Sequence, residues 1–415
     1  MSQPTRILLS LIAGLLGGIA LAAWTPSAAG TAILLAQPVG TAWLNALQMT
    51  VVPLVVSLLV TGVAATAEAA RAGRIAARAI LMFVSLLFVS ALAAALLTPL
   101  FLDLVPLPAE AGASLRAALT GAAPVAQAPP IGDLLAHIVP TNALAAATAD
   151  AFLPLIIFTL IFAFALTRID AERRRLLTTV FEALRETMLV VINWVLWLAP
   201  LGVLALALVV GARAGTAAFG ALVHYVVTVS AVGIAVSLLG AIPLALLGAR
   251  IGIARFARAA LPAQAVAIST QSSLASLPAM LKGAGALGVP VSTAGLTLPI
   301  AVAIFRWTGP AMNLAVAIYV ARWFGIALTP GTMAAAVVVA ALTSLGSVSL
   351  PGQISFVSAI APIAAVLGVP IAPLGLLVAV ETIPDIFRTL GNVTMDLAAV
   401  ATVSRISHDP LPEDI

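Results

Sequence analysis

Apolar stretches of about 20 residues recur along this whole sequence, and they constrain its fold more than any other feature. Residues 7–24, 80–102 and 189–210 are examples, and each is long enough to cross about 30 Å of hydrocarbon as a helix. Hydrophobic residues make up 62% of the chain and charged residues only 8%, a balance that cannot give a water-soluble surface. The sequence therefore predicts an all-α, polytopic membrane protein.

Several classes of protein are excluded by what the sequence lacks. Cysteine is absent, which excludes disulfides and thiol chemistry. His137, His224 and His408 are too dispersed for a metal cluster or a catalytic dyad, and no Walker-type nucleotide motif is present. We therefore expect neither an enzyme nor a cofactor, and no nucleic-acid partner.

The basic residues predict the orientation, because they form clusters separated each time by two apolar passes. The positive-inside rule places the clusters and both termini in the cytoplasm, which indicates a multi-pass protein of the inner membrane. The clusters are Arg6; Arg71, Arg74 and Arg78; Arg168, Arg173, Arg174 and Arg175; Arg250, Arg255 and Arg258; and Arg405.

Six spanning helices are expected before residue 255, with the second starting only after a connection at 26–40. The polar run 137–142 interrupts the fourth, and a loop rich in Pro, Ala and Gly occupies 107–135 on the outer side. The six are at about 6–25, 40–68, 76–106, 136–167, 177–211 and 217–249.

Two later apolar segments are each broken by small polar residues, at 269–276 and at 343–352. Unpaired backbone at membrane depth is tolerated where it lines a cavity or is buried in protein, so we interpret both segments as re-entrant hairpins. The alternative is that Ser and Thr only allow close helix packing. The hairpins would occupy about 260–285 and 335–365, each followed by a spanning helix, at about 293–325 and 370–404.

The last span carries one polar stripe: Glu381, Asp385, Arg388, Asn392 and Asp396, spaced by four, three, four and four residues. Ionisable residues within a membrane mark functional sites, because burying them costs several kcal/mol. A guanidinium can bind a carboxylate through two hydrogen bonds, and a neighbouring carboxylate can bind an ammonium group. The alternative is an internal ion pair in which Asp385 and Arg388 neutralise each other.

Short motifs are distributed over nearly the whole chain: 52–55, 138–142, 199–203, 270–273 with 277–278, 350–352, and 385–392 with Asp396. In order and spacing they resemble the dicarboxylate/amino acid:cation symporter family, which includes the glutamate and aspartate transporters. The resemblance implies eight transmembrane helices, two re-entrant hairpins, inverted repeats and a homotrimer. It also implies a scaffold domain (1–69 and 136–212) and a transport domain (70–106 and 213–404) that moves as an elevator.

The resemblance also implies roles for individual residues. Arg388 would hold a side-chain carboxylate and Asp385 the amino group of an acidic solute such as aspartate, glutamate or a C4-dicarboxylate. Thr389, Asn392, Ser272 and Ser273 would be further substrate contacts, as would Ser349 and Gly352 in a gating second hairpin. The cation-coupling site would comprise Arg306, Ser344, Ser347, Glu381, Asn392 and Asp396, with sodium expected at Asn392 and Asp396.

The sequence departs from the family where sodium ligands are usual. Arg306 and its neighbours stand in the seventh helix where the family carries Asn-Met-Asp-Gly-Thr, and Leu86 and Leu87 stand where it places hydroxyls. We hypothesise that the Arg306 guanidinium sits among Asp396, Asn392 and carbonyls and replaces sodium. The alternative is that Arg306 pairs with Glu381 or with substrate.

The sequence therefore predicts a symporter of acidic solutes whose sodium coupling is weakened or lost. Protons, carried by Glu381 or Asp385, or solute exchange would take its place. The alternative is a transport-deficient relative that acts as a solute sensor or an anion channel. His224 and Arg322 are interpreted as structural.

Overall fold

The computed structural model describes residues 2–71, 73–107, 136–346 and 352–407, and every regular element within those ranges is a helix. The prediction of an all-α protein is confirmed. The helices are α1 (Gln3–Trp24), α2 (Pro26–Gln48), α3 (Val51–Arg71), α4 (Arg74–Leu104), α5 (Ala143–Thr148), α6 (Phe152–Leu166), α7 (Ala171–Trp197), α8 (Ala199–Ala214), α9 (Ala217–Pro243), α10 (Ile253–Thr270), α11 (Ser273–Ala286), α12 (Val291–Ile304), α13 (Thr308–Phe324), α14 (Pro330–Gly346), α15 (Gly352–Val366), α16 (Ala372–Leu377) and α17 (Thr382–Ile406).

The first half differs from the expected helix bounds in two places. Residues 26–40, expected to be an outer connection, form the first part of α2, with Pro26 in the first turn where its missing N–H is not needed. The expected fifth helix is two helices, α7 and α8, bent by 55° at a break before Ala199. The predicted loop 107–135 lies almost wholly outside the described residues.

The fourth expected helix is broken twice: residues 137–142 are non-helical, as the polar run predicts, and residues 149–151 separate α5 from α6. Asn142 caps α5 by accepting hydrogen bonds from the backbone N–H groups of Leu144 and Ala145, and Asp150 adopts a φ of 51° before α6 begins. α9 ends in a π-helical turn, Leu244–Gly248.

α10 and α11 are two helices joined by a turn at the position of the first predicted hairpin, and their re-entrant course stays a prediction. They are separated by Gln271, whose φ is 51°, and by Ser272, which caps α11. In the second hairpin, α14 and α15 lie close to the predicted bounds, whereas 347–351, with Ser347 and Ser349, lie outside the described residues.

Two helices expected to be continuous are interrupted. The span expected at 293–325 unwinds at 305–307, between α12 and α13. The span expected at 370–404 is divided at 378–381, between α16 and α17. The prediction of one uninterrupted last helix is therefore wrong at Glu381, which lies at the N-cap of α17. Both breaks lie where two apolar clusters meet, because α13 and the 377–403 region contribute buried residues to both.

Length and apolar composition identify five helical segments in the described part of the chain that could cross a membrane, or six if α7 and α8 count as one. The other expected spans consist of shorter helices in series. The count of eight and the division into scaffold and transport domains therefore stay predictions.

His224 and Arg322 both link helices. The His224 ring lies 2.9 Å from the Tyr319 hydroxyl through Nδ1 and 2.7 Å from the Val105 carbonyl through Nε2. Arg322 forms an ion pair with Asp103 at the end of α4. These contacts agree with a structural role for both residues.

A close crossing of α1 and α8 gives a stability prediction. A Cβ added at Gly18 would lie 2.2 Å from the Leu208 carbonyl oxygen, whereas one at Gly17 would meet nothing within 4 Å. We expect Gly18→Ala to lower the free energy of unfolding by about 1–3 kcal/mol through overpacking. Thermal unfolding in detergent measures the effect, with Gly17→Ala as control. Equal stability of the two variants would contradict the crossing.

Candidate binding site

Arg388 is buried in α17 and holds three partners. Its Nη2 lies 2.6 Å from Glu381 Oε1 and its Nε 3.4 Å from Asp385 Oδ1. Its Nη1 donates to Asn313 Oδ1 over 2.8 Å. The ion pair between Asp385 and Arg388, left as an alternative by the sequence, is therefore present, and Glu381 forms a second, shorter ion pair with the same guanidinium.

Glu381 is fully buried and accepts hydrogen bonds at both oxygens. Besides Arg388, the Tyr225 hydroxyl of α9 donates to its Oε2 over 3.3 Å. Sequence reasoning missed Tyr225 and Asn313. The signal available for Tyr225 was its rarity, because the chain has only two tyrosines and both lie in apolar spans.

Packing on both sides holds Arg306 in the unwound segment 305–307. The ring of Phe305 stacks on Phe83 with centroids 4.6 Å apart, and the Trp307 Nε1 donates to the Val236 carbonyl over 3.2 Å. Both aromatic side chains are buried, whereas Arg306 between them is half-buried and lines a cavity. The two anchors thus fix the direction of the guanidinium.

The cavity is narrow and lies between α13, α14, α15 and α17. Two of its lining side chains are guanidinium groups, and no carboxylate residue is among the described residues that line it. Asn313, Ser355 and Phe356 were not predicted as site residues. The lining residues are Arg306, Gly309, Asn313, Ser344, Ser355, Phe356, Ala359 and Arg388.

The predicted sodium ligands Asn392 and Asp396 are both buried, but their environments differ. The Asn392 Oδ1 accepts from the Thr308 backbone N–H over 2.9 Å. The Thr308 hydroxyl lies 2.7 Å from the same oxygen and 2.8 Å from the Arg388 carbonyl, and its single proton serves both acceptors. Neither Asp396 oxygen has a hydrogen-bond partner among the described residues. Arg306 is within electrostatic range of Asp396 without hydrogen-bonding to it.

The remaining predicted residues are distributed around this centre. Ser344 lines the cavity and donates to the Ala340 carbonyl, and Thr389 donates to the Asp385 carbonyl. Ser272 caps α11, and Ser273 starts that helix. Neither serine is among the described residues that line the cavity, although the adjacent Gln271 contacts the Thr382 carbonyl at 3.5 Å. Gly352 begins α15.

The sequence model of the sodium:dicarboxylate symporter family matches residues 4–406 of this chain. The chain belongs to this family. The resemblance noted from the motifs is thus confirmed, and it covers nearly the whole chain. As a member of this family with several apolar helices, the protein is a multi-pass membrane protein.

Three similar proteins are named for transport and not for catalysis. The proton/glutamate-aspartate symporter of Escherichia coli (strain K12) is 30% identical over 281 residues, which are 67% of this chain and 63% of that protein. The proton/sodium-glutamate symport protein of Bacillus subtilis (strain 168) is 29% identical over 278 residues (66% and 63%). The C4-dicarboxylate transport protein of Cupriavidus pinatubonensis is 27% identical over 281 residues (67% and 64%). The similarity spans less than two thirds of each relative.

Proposed function

We propose that the protein is a secondary transporter of acidic amino acids or C4-dicarboxylates across the cytoplasmic membrane. The observation that carries this proposal is the cavity with two guanidinium groups and no carboxylate among its described lining residues. Each guanidinium can hold one carboxylate through paired, charge-assisted hydrogen bonds.

Arg388 is oriented for such a solute by its own partners. A substrate carboxylate would displace Glu381 or Asp385 from the guanidinium. The hydrogen bond to Asn313 would keep the guanidinium in position during this exchange. A released Asp385 would then be available to an amino group. In C4-dicarboxylates no amino group is present, so this residue favours aspartate or glutamate.

The charge balance of the cluster around Arg388 supports symport. Three acids, Glu381, Asp385 and Asp396, are accompanied by the two bases Arg306 and Arg388, which leaves a formal excess of one negative charge. A dianion brought into this low-dielectric region would add to the excess unless cations or protons accompany it. Binding and cation uptake are therefore linked.

We propose protons, or solute exchange, instead of sodium. The Asn392 amide oxygen accepts a hydrogen bond from the Thr308 N–H, and Leu87 lies buried in an apolar cluster beside the stacked Phe83 and Phe305. At these two positions sodium would find one amide oxygen that already accepts a hydrogen bond and no hydroxyl. Glu381, held between Tyr225 and Arg388, would take up a proton when substrate displaces it from Arg388.

The family resemblance extends the proposal to an elevator-type motion, a homotrimer and cytoplasmic termini. Ser344 of α14 and Ser355 of α15 flank the cavity, a placement that suits the second hairpin as a gate. The scaffold would comprise 1–69 and 136–212.

The test is uptake of radiolabelled aspartate, glutamate and succinate into proteoliposomes under separately imposed proton and sodium gradients. We expect saturable uptake that an inward proton gradient accelerates and a sodium gradient does not. Glu381→Gln should lose the response to the proton gradient and retain exchange, whereas the exposed Glu182→Gln should behave as wild type. Uptake driven by sodium alone would contradict the coupling proposal, and binding without uptake would indicate a sensor.

A further inference from the structure

The ring of His224, half-buried on α9, joins two other helices at one end of the molecule. Its Nε2 lies 2.7 Å from the carbonyl of Val105, the C-cap of α4, and its Nδ1 lies 2.9 Å from the Tyr319 hydroxyl of α13. The Tyr319 hydroxyl in turn donates to the Ala221 carbonyl of α9 over 3.0 Å. We call these four residues the histidine clasp.

The protons that these contacts require can be counted. A carbonyl oxygen only accepts, so Nε2 must carry a proton to bond Val105. The Tyr319 hydroxyl has a single proton, which is used when it donates to Ala221. Nδ1 must then donate to the Tyr319 oxygen, and for that it needs a proton of its own. All three contacts are therefore satisfied at once by the positively charged ring.

The neutral ring satisfies one contact fewer. With its proton on Nε2, it keeps the bond to Val105 and can only accept at Nδ1. Tyr319 then has one proton for two acceptors, Nδ1 of His224 and the carbonyl of Ala221. Loss of a proton from His224 thus removes one hydrogen bond between α9 and α13.

The position at the end of α4 also favours a positive ring. The last carbonyls of a helix carry the negative end of its dipole, which attracts cations, and Val105 is one of these carbonyls. Asp103 and Arg322 lie at the same end of α4 and α13 and form an ion pair, so their charges largely offset each other. The two arginines of α4 lie in its first two turns, at the opposite end.

The other helices packed on α9 bring further polar groups. At the end of α8, Arg213 donates to the side-chain oxygen of Gln37 over 2.9 Å. Toward α17, the Tyr319 ring contacts the Tyr225 ring edge-on with centroids 5.3 Å apart, and the Tyr225 hydroxyl donates to Glu381. Apart from His224 itself, α9 contains no Asp, Glu, Lys or Arg.

We propose that the histidine clasp is a pH-sensitive device, in which protonation of His224 tightens the packing of α4, α9 and α13. Histidine changes charge between about pH 5 and 8, and the half-buried ring is open to solvent protons. The stability that His224 contributes is greatest at the acid end of this range and decreases as the pH rises. Because α13 also carries Asn313, acid conditions hold one wall of the candidate binding site in place. The clasp does not depend on the proposed transport.

The test is thermal unfolding of the purified full-length protein in detergent at about pH 5.5 and about pH 8. We expect His224→Gln to lower the midpoint by about 2–4 °C more at the acid pH than at the alkaline pH, since one hydrogen bond to a charged group is lost. Glutamine keeps a donor and an acceptor but cannot take up the proton. The control is His137→Gln, which removes an exposed imidazole outside these helices and should act equally at both pH values.

A second variant isolates the bond that protonation adds. In a Tyr319→Phe background the hydroxyl is absent, so His224→Gln should lose most of its pH-dependent effect. An equal effect of His224→Gln at both pH values in the wild-type background would overturn the proposal, and so would a larger effect at alkaline pH.

A measurement on the wild-type protein does not depend on how the variants fold. The nitrogen chemical shifts of histidine-labelled protein report which ring nitrogens carry protons. We expect both nitrogens of His224 to be protonated at about pH 5.5 and one at about pH 8. A ring with a single proton at both pH values would contradict the clasp.

Discussion

We expect Arg388→Ala to lower the uptake of aspartate, glutamate and succinate by about 100-fold or more. The substitution removes the guanidinium that faces the cavity between the hairpins, and hydrogen bonds to charged groups contribute about 1.5–3 kcal/mol each. It also leaves Glu381 and Asp385 buried without their cation, so the free energy of unfolding should fall by about 3–5 kcal/mol. Initial rates in proteoliposomes and thermal unfolding in detergent measure the two effects.

A double variant separates stability from binding. In Arg388→Gln/Glu381→Gln, one of the two carboxylates is neutralised together with the guanidinium, so most of the lost stability should return. Uptake should stay at background because no cation remains at that side of the cavity. Recovery of uptake together with stability would show that Arg388 serves only to neutralise its neighbours.

We expect Arg306→Met to raise the KM for succinate by about 30-fold and to leave uptake independent of sodium. The reason is that Arg306 and Arg388 line one cavity, so a solute with two carboxylates loses one of its two cationic contacts. Concentration-dependent uptake with and without sodium measures both quantities. Lys282→Met, which removes an exposed cation from α11, is the matched control.

The same variant decides between two roles for Arg306. If the guanidinium acts instead as a fixed substitute for sodium near Asp396, its loss should leave substrate affinity intact once sodium is supplied. Combining it with Trp307→Asp would then restore a carboxylate beside the break and strengthen the dependence on sodium. Unchanged uptake in Arg306→Met without sodium would contradict both roles.

Much of the fold could be predicted from the sequence because membrane spans leave a strong local signal. Long apolar stretches determined the all-α class, and runs such as 137–142 and 269–276 located two of the helix breaks. The four-and-three spacing in 381–396 identified the stripe that includes the buried ion pair. These features depend on composition and periodicity within one segment.

The bounds of the helices and the partners of Arg388 in the site were less predictable. Helix α2 begins at Pro26 because apolar and small residues continue the helix where a loop was expected, and α16 ends before Glu381. Tyr225 and Asn313 lie far from Arg388 in sequence, so no local pattern connects them to it. Ser347 and Ser349, predicted at the gate, lie outside the described residues.

The sequence by itself determined that this chain is a helical membrane protein with charges in its last span and breaks in its hairpins. Only the tertiary structure decided that α12 and α13 separate at 305–307 and that Arg306 faces the cavity lined by Arg388. The physical reason is that unwinding exposes backbone groups, which must be satisfied by other helices in a dry interior. Here the Ser90 hydroxyl donates to the Trp307 carbonyl, and the Asn392 side chain accepts from the Thr308 N–H.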